Sequence, residues 1–297
     1  MKIKFWGTRG SVPTPGKSTV RYGGNTPCVE VRLDKNELII LDAGTGIRNL
    51  GQDLLANEEK VDAYLLITHP HWDHIQGFPF FRPAFFPGNR LIIVGAETGK
   101  VSLQKIISDQ MNKVSFPVKL AELKSTLKFR KAEEEFKVFD ATVQTIFVNH
   151  PSFSIGYRIN YKKKSLVYIS DNEPFDGSIA KFKRTIERDI VNKYMHSRGN
   201  PNQRIFDFVR NTDVLIHDTT YTPEEYPEHL GWGHSHYLFA LEVADKGSVK
   251  KLVLFHHDPA HSDEMVDEIV DHCKEEMRTR NFGFECLAAA EGMVIEI

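Results

Sequence analysis

Hydrophobic residues in this chain fall mainly into short runs, which Gly, Pro and Asn separate from one another. Runs of this length, rich in Val, Ile, Leu and aromatic residues, are typical of β-strands that bury at least one face. The pattern predicts strands over Lys2–Trp6, Pro27–Leu33, Glu37–Asp42, Ala63–Thr68, Arg90–Val94, Thr142–Val148, Phe153–Ile159, Ser165–Ser170, Asp213–His217 and Lys251–Phe255.

Fewer segments show the period of a helix than show the pattern of a strand. In the first of them, from Ile47 to Ala56, one apolar face is formed by Ile47, Leu50, Leu54 and Leu55. Further helices are predicted over Val101–Met111, His236–Lys246 and Asp263–Glu276. Strands and helices are both spread along the chain, so we expect one domain over residues 1–297. The predicted fold is an α+β, αββα sandwich of two mixed β-sheets with helices on the outer faces.

Two segments interrupt this pattern and are candidate insertions. Residues 113–140 are charged and weakly periodic, whereas residues 176–210 combine helix and loop signals with eight Lys or Arg against four Asp or Glu. Such a positive surplus most often lies on a solvated surface. The alternative is a basic lip over an anionic substrate.

The composition of the chain, 297 residues with 41% hydrophobic, is typical of a globular protein. Lys and Arg total 38 and Asp and Glu total 40, which gives a formal net charge of -2. A charge this close to zero argues against a whole-surface field that gathers nucleic acid or binds a membrane. An anionic ligand would therefore be attracted by a local site.

Targeting and redox signals favour a soluble, cytoplasmic protein. The basic start turns polar from Thr8, before an apolar signal-peptide core can form. Apolar runs such as Leu38–Leu41 are far shorter than the roughly 20 residues of a membrane span. Cys28, Cys273 and Cys286 are odd in number and lack Cys-x-x-Cys spacing, which argues against a disulfide framework and a zinc knuckle.

The clearest chemical signal directly follows the apolar strand that ends at Thr68. Six residues there contain four ligand-type side chains: His69, His71, Asp73 and His74. Such groups are costly to crowd together unless a metal ion or an anion compensates them. In an extended turn the first two share a side and the last two can point to a neighbouring position, so the four can divide between two ions. Imidazole and carboxylate together suit Zn²⁺, Mn²⁺ or Fe.

This motif resembles the His-x-His-x-Asp-His signature of the metallo-β-lactamase superfamily, and the resemblance extends over nearly the whole chain. The superfamily pattern continues with a lone histidine, a bridging acid and a final histidine, each after an apolar strand; these correspond to His150, Asp171 and His256. The resemblance implies two divalent ions per chain, with Zn²⁺ expected first and Mn²⁺ or Fe as alternatives. It implies one ion held by His69, His71 and His150, a second held by Asp73, His74 and His256, and Asp171 shared between them.

Three segments near the start resemble the phosphodiesterase branch of that superfamily: Phe5–Pro13, Gly23–Thr26 and Leu41–Gly46. The branch includes ribonuclease Z, the cyclic phosphodiesterases of phosphonate breakdown and cyclic-nucleotide phosphodiesterases. Glycines in these segments permit tight turns. Asp42 is expected to hold the metal loop by hydrogen bonds without touching metal.

A second marker of this branch is Gly231–His236, which is similar to the Gly-His-Ser-Thr element of ribonuclease Z-like enzymes. In that element the histidine approaches the scissile phosphate, which makes His234 a candidate to stabilise the phosphoryl oxygens or to protonate the leaving group. His236 stands where Thr is usual and is either a second substrate contact or a residue at a helix start. Residues that either orient a ligand or serve packing and turns are His217, Asp218 and His257.

The resemblance implies hydrolysis of a phosphodiester by a hydroxide that bridges the two ions. Asp73 would orient this nucleophile, while the ions and His234 would offset charge on the phosphoryl oxygens. We expect a small cyclic nucleotide, such as 3′,5′-cyclic AMP or cyclic GMP, as the substrate. The reason is that the sequence lacks an obvious long Gly/Pro-rich arm of the kind with which ribonuclease Z grips transfer RNA.

Three other functions stay open. The first is a ribonuclease Z-like endonuclease on transfer RNA 3′ ends, which the positive charges between Lys181 and Arg210 favour. The second is thioester or lactone hydrolysis, for which other branches use the same metal signature. The third is a non-catalytic protein that binds metal and a nucleotide. Homodimers are common in this branch, so a homodimer is expected. The aromatic segment Phe78–Phe86 would serve as core and pocket wall, with a dimer face or a surface that stacks on a base as alternatives.

Overall fold

The computed structural model describes residues 1–97, 101–175, 200 and 202–297. The strands of this described part are β1 (Lys2–Gly7), β2 (Cys28–Arg32), β3 (Leu38–Leu41), β4 (Asp62–Ile67), β5 (Arg90–Gly95), β6 (Thr126–Lys131), β7 (Glu135–Val138), β8 (Ala141–Phe147), β9 (Ile155–Tyr161), β10 (Lys164–Ile169), β11 (Val214–Asp218), β12 (Lys251–Phe255), β13 (Glu285–Ala288) and β14 (Val294–Glu296). Its α-helices are α1 (Gly46–Ala56), α2 (Trp72–Ile75), α3 (Leu103–Gln110), α4 (Gln203–Phe208), α5 (Tyr237–Lys246) and α6 (Asp263–Arg280). Short 3₁₀ helices cover Lys17–Thr19, Phe78–Phe80, Arg82–Phe85, Leu120–Glu122 and Tyr226–His229.

The strands form two sheets, each with seven strands among the described residues. The first has the order β14-β1-β2-β3-β4-β5-β6, and the second has the order β13-β12-β11-β10-β9-β8-β7. Both sheets are mixed. Strands β3 to β6 run parallel, as do β10 to β13, while the remaining neighbours pair antiparallel. Searched over the same residues, no helix is long and apolar enough to cross a bilayer.

Three apolar layers hold the elements together. The inner layer joins the two sheets and includes Val31 and Val253. Helices α1 and α3 cover the outer face of the first sheet through residues such as Leu50 and Ile107. Helices α5 and α6 cover the outer face of the second sheet, where Leu241 is buried. The order helix, sheet, sheet, helix confirms the predicted αββα sandwich.

The burial of strand β4 shows why short apolar runs in the sequence predicted the positions of strands. Leu66 packs between the two sheets, whereas Leu65 and Ile67 face the helices of the first sheet. Because both faces are buried, the strand reads as a continuous apolar run rather than as an alternating one. Each of the ten strands predicted from such runs overlaps a strand of the structure.

The segment 113–140, predicted as a possible insertion, contributes an edge strand to each sheet. Strand β6 pairs with β5 in the first sheet, and β7 pairs with β8 in the second. Most of β6 is exposed and β7 has only four residues, so neither forms a clear apolar run. The short strands β13 and β14 at the opposite edges were not predicted for the same reason. Most of the other candidate insertion, 176–210, lies outside the described residues.

The ends of the parallel strands carry the candidate chemistry. Strand β4 ends two residues before His69, β10 ends two residues before Asp171, and β12 ends directly before His256. Parallel neighbours end at the same edge of a sheet. The topology therefore brings Asp171 and His256 to one rim of the second sheet, where the loop after β4 meets them.

One hydrogen bond crosses the sandwich just below this rim. The hydroxyl of Tyr157 on β9 donates to the carbonyl oxygen of Ile67 at the end of β4, over 2.7 Å, in a buried position. Tyr157→Phe removes the donor and leaves the carbonyl oxygen without this partner. We expect the free energy of unfolding in urea to fall by about 1–2 kcal/mol. Tyr64→Phe is the control, because the Tyr64 ring packs edge-on against Phe139; an equal loss in both variants contradicts the assignment.

Candidate metal centre

Asp42 holds the loop that carries four of the predicted ligands. Its carboxylate accepts hydrogen bonds from the backbone N–H of Thr68 over 2.8 Å and from the hydroxyl of Tyr168 over 2.8 Å. The backbone of Asp42 has a φ of 59°, in the left-handed region that strains an L-residue. This backbone conformation turns the chain after β3, and the carboxylate then lies against the loop between β4 and α2.

The first cluster consists of His69, His71 and His150, whose ligand nitrogens lie within 4.8 Å of one another. Nδ1 of His71 is 3.1 Å from Nε2 of His150, which comes from the loop after β8 in the second sheet. The ring centroid of His69 lies 4.5 Å from that of His71 and 4.6 Å from that of His150. His71 is exposed while the other two are buried, so the cluster opens to solvent on the His71 side.

The second cluster consists of Asp73, His74, Asp171 and His256. Nε2 of His74 lies 3.1 Å from Oδ2 of Asp73 and 3.1 Å from Oδ1 of Asp171. Nε2 of His256 lies 3.2 Å and 3.4 Å from the same two oxygens. The other oxygen of Asp171, Oδ2, is 3.5 Å from Nε2 of His69 in the first cluster. Asp171 therefore faces both clusters, with a different oxygen for each.

In each of the four buried imidazoles, Nδ1 is bonded to an oxygen outside the clusters. The partners are Thr68 Oγ1 for His69 (3.1 Å), Asp42 Oδ2 for His74 (2.8 Å), the Gly233 carbonyl for His150 (3.0 Å) and Thr220 Oγ1 for His256 (3.0 Å). Donation from Nδ1 fixes the tautomer and leaves Nε2 unprotonated toward the clusters. This is the arrangement of histidines that bind metal through Nε2.

Unsatisfied buried atoms show that the residues fit metal ions. Within the described residues, buried atoms without a hydrogen-bond partner include Nε2 of His69, Nε2 of His74 and Oδ1 of Asp171. Buried polar groups are normally bonded, so unsatisfied atoms that face one another call for a further group. Burial lowers the pKa of His69 well below its ordinary value and that of His150 to about 3. Both rings are therefore neutral, the form that binds metal.

Charge points to the same conclusion. Burial alone would raise the pKa of Asp171, but the imidazoles of His256 and His74 hold it well below its usual range. Four aspartates at or behind the clusters are each at most 6% exposed: Asp42, Asp73, Asp171 and Asp218. Buried carboxylates need compensation, and divalent ions would supply positive charge next to them. The donor set suits a dinuclear site for divalent metal.

A third group, Asp218 with His234, lies beside the second cluster. Nδ1 of His234 is 3.1 Å from Oδ2 of Asp218 and 3.8 Å from Oδ2 of Asp171, and its ring stacks on that of His256 with 4.9 Å between centroids. Burial disfavours a protonated His234, but the carboxylates of Asp218 and Asp171 outweigh it and raise the pKa of His234 to about 9. The position of Asp218 beside His234 agrees with the orienting role, one of the two roles that the sequence left open for Asp218.

The neighbour of Asp218, His217, is not brought to the site. Successive residues of a strand point to opposite faces of the sheet. His217 therefore turns toward α5, where its ring lies 6.0 Å from that of Phe239 and its Nδ1 donates to the carbonyl of Asp218 over 2.8 Å. The packing interpretation of His217 agrees with this position, and the ligand-orienting interpretation does not.

Two other predicted residues also lie outside the clusters. His257 is buried, and its Nε2 donates to the carbonyl oxygen of Ala289 over 2.9 Å, which ties the loop after β12 to the end of β13. His236 directly precedes α5, and its ring packs against Tyr226 with 4.8 Å between centroids. His236 thus has the position of a helix-start residue, and a contact with substrate stays a prediction.

Comparison with known proteins identifies the family. A family model described as "Beta-lactamase superfamily domain" matches residues 38–188. The chain belongs to the beta-lactamase superfamily. Ribonuclease Z of Picrophilus torridus is 27% identical over 287 residues, which cover 88% of this chain and 87% of the relative.

Solved structures of the superfamily share the fold over the whole chain. The metallo-beta-lactamase fold protein YhfI of Bacillus subtilis has a TM-score of 0.68 at 17% identity, over 100% of this chain and 99% of its own. The short form of human tRNase Z has a TM-score of 0.64 at 19% identity, over 100% and 99%. Within the beta-lactamase superfamily the protein lies in the ribonuclease Z-like, phosphodiesterase branch, and it is a metal-dependent phosphodiester hydrolase.

Sequence reasoning missed Glu173, which supports this superfamily centre from behind. Its buried carboxylate accepts hydrogen bonds from the backbone N–H groups of Gly231 (2.7 Å) and Gly233 (3.0 Å). The carbonyl of Gly233 is the partner of His150, and a Cβ at Gly233, where φ is +90°, would lie 2.1 Å from His150 Nδ1. Nothing in a sequence signals a carboxylate whose partners are backbone amides 58 and 60 residues away.

Asp171→Ala tests the shared carboxylate. We expect the variant, after metal is removed and restored, to hold at most one ion per chain where the original protein holds two, because both clusters lose an oxygen. Elemental analysis of the repurified proteins measures this. Asp140→Ala, which removes an exposed carboxylate paired with Lys35, is the control. Two ions retained in Asp171→Ala would refute the shared-ligand assignment.

Glu173→Gln tests the support of His150. The amide offers one acceptor in place of two and puts an N–H group against a backbone N–H. We expect metal affinity to fall about tenfold, the lower end of the range for residues that orient a metal ligand, as measured by competition with a chelator. Glu228→Gln on the exposed 3₁₀ turn Tyr226–His229 is the matched control. Equal affinities in the two variants would rule the support out.

Proposed function

We propose that the protein is an endonuclease of the ribonuclease Z type, which hydrolyses a phosphodiester bond at the 3′ end of precursor transfer RNA. The observation that carries the proposal is the identity of 27% with a ribonuclease Z along 88% of this chain. The centre supplies the groups this reaction needs, since it combines two metal-binding clusters with a histidine beside them.

The cyclic nucleotide expected from the sequence has less support than RNA. That expectation rested on the lack of a long Gly/Pro-rich arm, and the relative reported above is named for a ribonuclease instead. Thioester or lactone hydrolysis and non-catalytic binding gain no support from that relative. Precursor transfer RNA is therefore the first substrate to test, and the basic residues 176–210 are a candidate contact with it that lies mostly outside the described residues.

Seven residues would hold the two ions: His69, His71 and His150 for the first, Asp73, His74 and His256 for the second, and Asp171 for both. We infer Zn²⁺ as the first choice of resident metal, with Mn²⁺ or Fe as alternatives, because the donor set accepts all three. When bound, the two ions supply Lewis acidity that lowers the pKa of a water molecule and offsets charge on the phosphoryl oxygens. A homodimer stays a prediction from the resemblance to the branch.

Asp73 is the residue that orients the attacking water. Its Oδ2 accepts a hydrogen bond from the backbone N–H of Ser11 over 2.8 Å, and the same oxygen lies between His74 and His256. These contacts fix the position of Oδ2. An oriented carboxylate can hold a water proton and keep a lone pair of the water directed at phosphorus.

His234 is the residue that meets the phosphate and the leaving group. Asp218 engages its Nδ1, so Nε2 is the nitrogen left for substrate. A protonated His234 stabilises negative charge on a phosphoryl oxygen and then gives its Nε2 proton to the leaving oxygen. The paired carboxylate favours the imidazolium and holds the ring in position for that transfer.

His234→Ala separates this role from metal binding. We expect turnover of a phosphodiester substrate to fall by at least about a hundredfold, the usual range for a lost general acid, while elemental analysis still finds two ions per chain. His272→Ala on the exposed face of α6 is the control. Full turnover in His234→Ala would show that the histidine has no part in the chemical step.

The substrate is tested by direct comparison on protein loaded with Zn²⁺ or Mn²⁺. We expect precursor transfer RNA to be cut at its 3′ end, with kcat/KM at least about tenfold above that for 3′,5′-cyclic AMP or cyclic GMP. Gel analysis of end-labelled RNA and chromatography of the nucleotides provide the two rates. Hydrolysis of the cyclic nucleotides without cleavage of the RNA would overturn the proposal and favour the original expectation.

A further inference from the structure

Two tryptophans next to the centre leave most of their surface in solvent. The side chain of Trp72 is 80% exposed and that of Trp232 is 61% exposed. Tryptophan is a large apolar residue that is highly buried on average. The third tryptophan of the chain, Trp6, is only partly exposed, and its indole N–H donates to Glu30 over 2.7 Å. The exposure of the other two therefore needs an explanation.

Both exposed tryptophans are next in sequence to a residue that contacts the imidazole of His150. Trp72 directly follows His71, whose Nδ1 lies 3.1 Å from Nε2 of His150. Trp232 directly precedes Gly233, whose carbonyl oxygen lies 3.0 Å from Nδ1 of His150. Each tryptophan is therefore the sequence neighbour of a residue that contacts His150, and the two contacts are made to different ring nitrogens. His71 is the exposed member of its cluster, so this is the side on which the centre opens.

The ring of Trp232 is braced rather than free. It packs edge to face against His229, with 4.9 Å between centroids and 83° between ring planes. His229 in turn stacks on Tyr221 with 4.3 Å between centroids, and its Nδ1 donates to the carbonyl of Glu225 over 2.8 Å. An exposed aromatic ring held by its neighbours loses little conformational entropy when a flat group stacks on it.

We propose that Trp72 and Trp232 are stacking positions for unpaired nucleobases next to the scissile phosphate. The inference rests on the proposed function, because it assumes that a nucleotide phosphodiester enters the centre. Stacking on aromatic rings binds bases of any sequence. It also supplies affinity without a large positive field, in keeping with the net charge of -2.

The position of the indoles favours a nucleic acid over a protein partner. His71, the exposed member of its cluster, directly precedes Trp72, so a protein bound on Trp72 would restrict access to the open side of the centre. A nucleoside next to the cleaved phosphate can contact the rings while the phosphate lies at the clusters. The substrate would accordingly be single-stranded at the linkage that is cut.

Binding is measured on the metal-loaded full chain, and the central linkages of each probe are methylphosphonates, so that no RNA is cut. The probe is a fluorescently labelled single-stranded RNA of 12 nucleotides, and a second probe has abasic residues at its four central positions. The variants are Trp72→Ala, Trp232→Ala, both together, and the corresponding Phe substitutions. Val114→Ala shortens an apolar side chain that is 97% exposed and is the control.

We expect each Ala substitution to weaken binding of the normal RNA between about fivefold and a hundredfold, and to leave binding of the abasic RNA unchanged. The Phe substitutions should retain most of the affinity. The normal RNA should also quench tryptophan fluorescence in the original protein, and this quenching should disappear in the double Ala variant, which keeps only Trp6. Circular dichroism and thermal unfolding verify that the variants fold.

Equal affinity of the Ala variants and the original protein for the normal RNA would overturn the inference. An equal loss on the normal and the abasic RNA would also overturn it, because the rings would then act on the protein rather than on bases. The proposed function is judged separately, by cleavage of precursor transfer RNA with metal-loaded original protein. Stacking without cleavage would refute the function alone, and cleavage without a base-dependent effect would refute the stacking alone.

Discussion

Charge buried where the two sheets meet is the constraint on which the rest of this protein depends. Moving a carboxylate from water into a protein interior costs several kcal/mol even after the surroundings relax. Four aspartates of the candidate centre are nearly fully buried: Asp42, Asp73, Asp171 and Asp218. Hydrogen bonds satisfy Asp42 and Asp218, but Oδ1 of Asp171 has no such partner among the described residues. Divalent cations would compensate both the charge and the unsatisfied atoms. We therefore expect bound metal to stabilise the folded protein.

The fold accepts local strain to bring its polar residues to that edge. Asp42 directly follows β3 and His256 directly follows β12, and their φ angles are 59° and 62°. Glycine would remove the strain, which is of the order of 1–3 kcal/mol per residue, but it would also remove the side chain that the site needs. Several hydrogen bonds hold each residue in place, including one from Tyr168 to Asp42 and one between Thr220 and His256.

Much of the centre could be predicted, because its residues follow strands that the hydrophobic pattern locates. The distant members came only from the resemblance to a superfamily: His150, Asp171 and His256. The hydrophobic pattern did not show toward which face of a sheet each polar side chain points. The sequence made His217 and Asp218 equal candidates. In the structure they lie on opposite faces of β11, with His217 toward α5 and Asp218 toward the centre. Glu173 was missed because its partners are backbone amides, which carry no sequence signal.

Asp218 connects His234 to the second metal cluster through a chain of hydrogen bonds. Its Oδ2 accepts a hydrogen bond from Nδ1 of His234, and its Oδ1 accepts one from the hydroxyl of Thr220, which in turn bonds Nδ1 of His256. A shift of His234 therefore moves the orienting partner of a metal-cluster histidine as well. Trp72 and Trp232 take no part in these hydrogen bonds, so substitution of either indole leaves this connection between His234 and His256 in place.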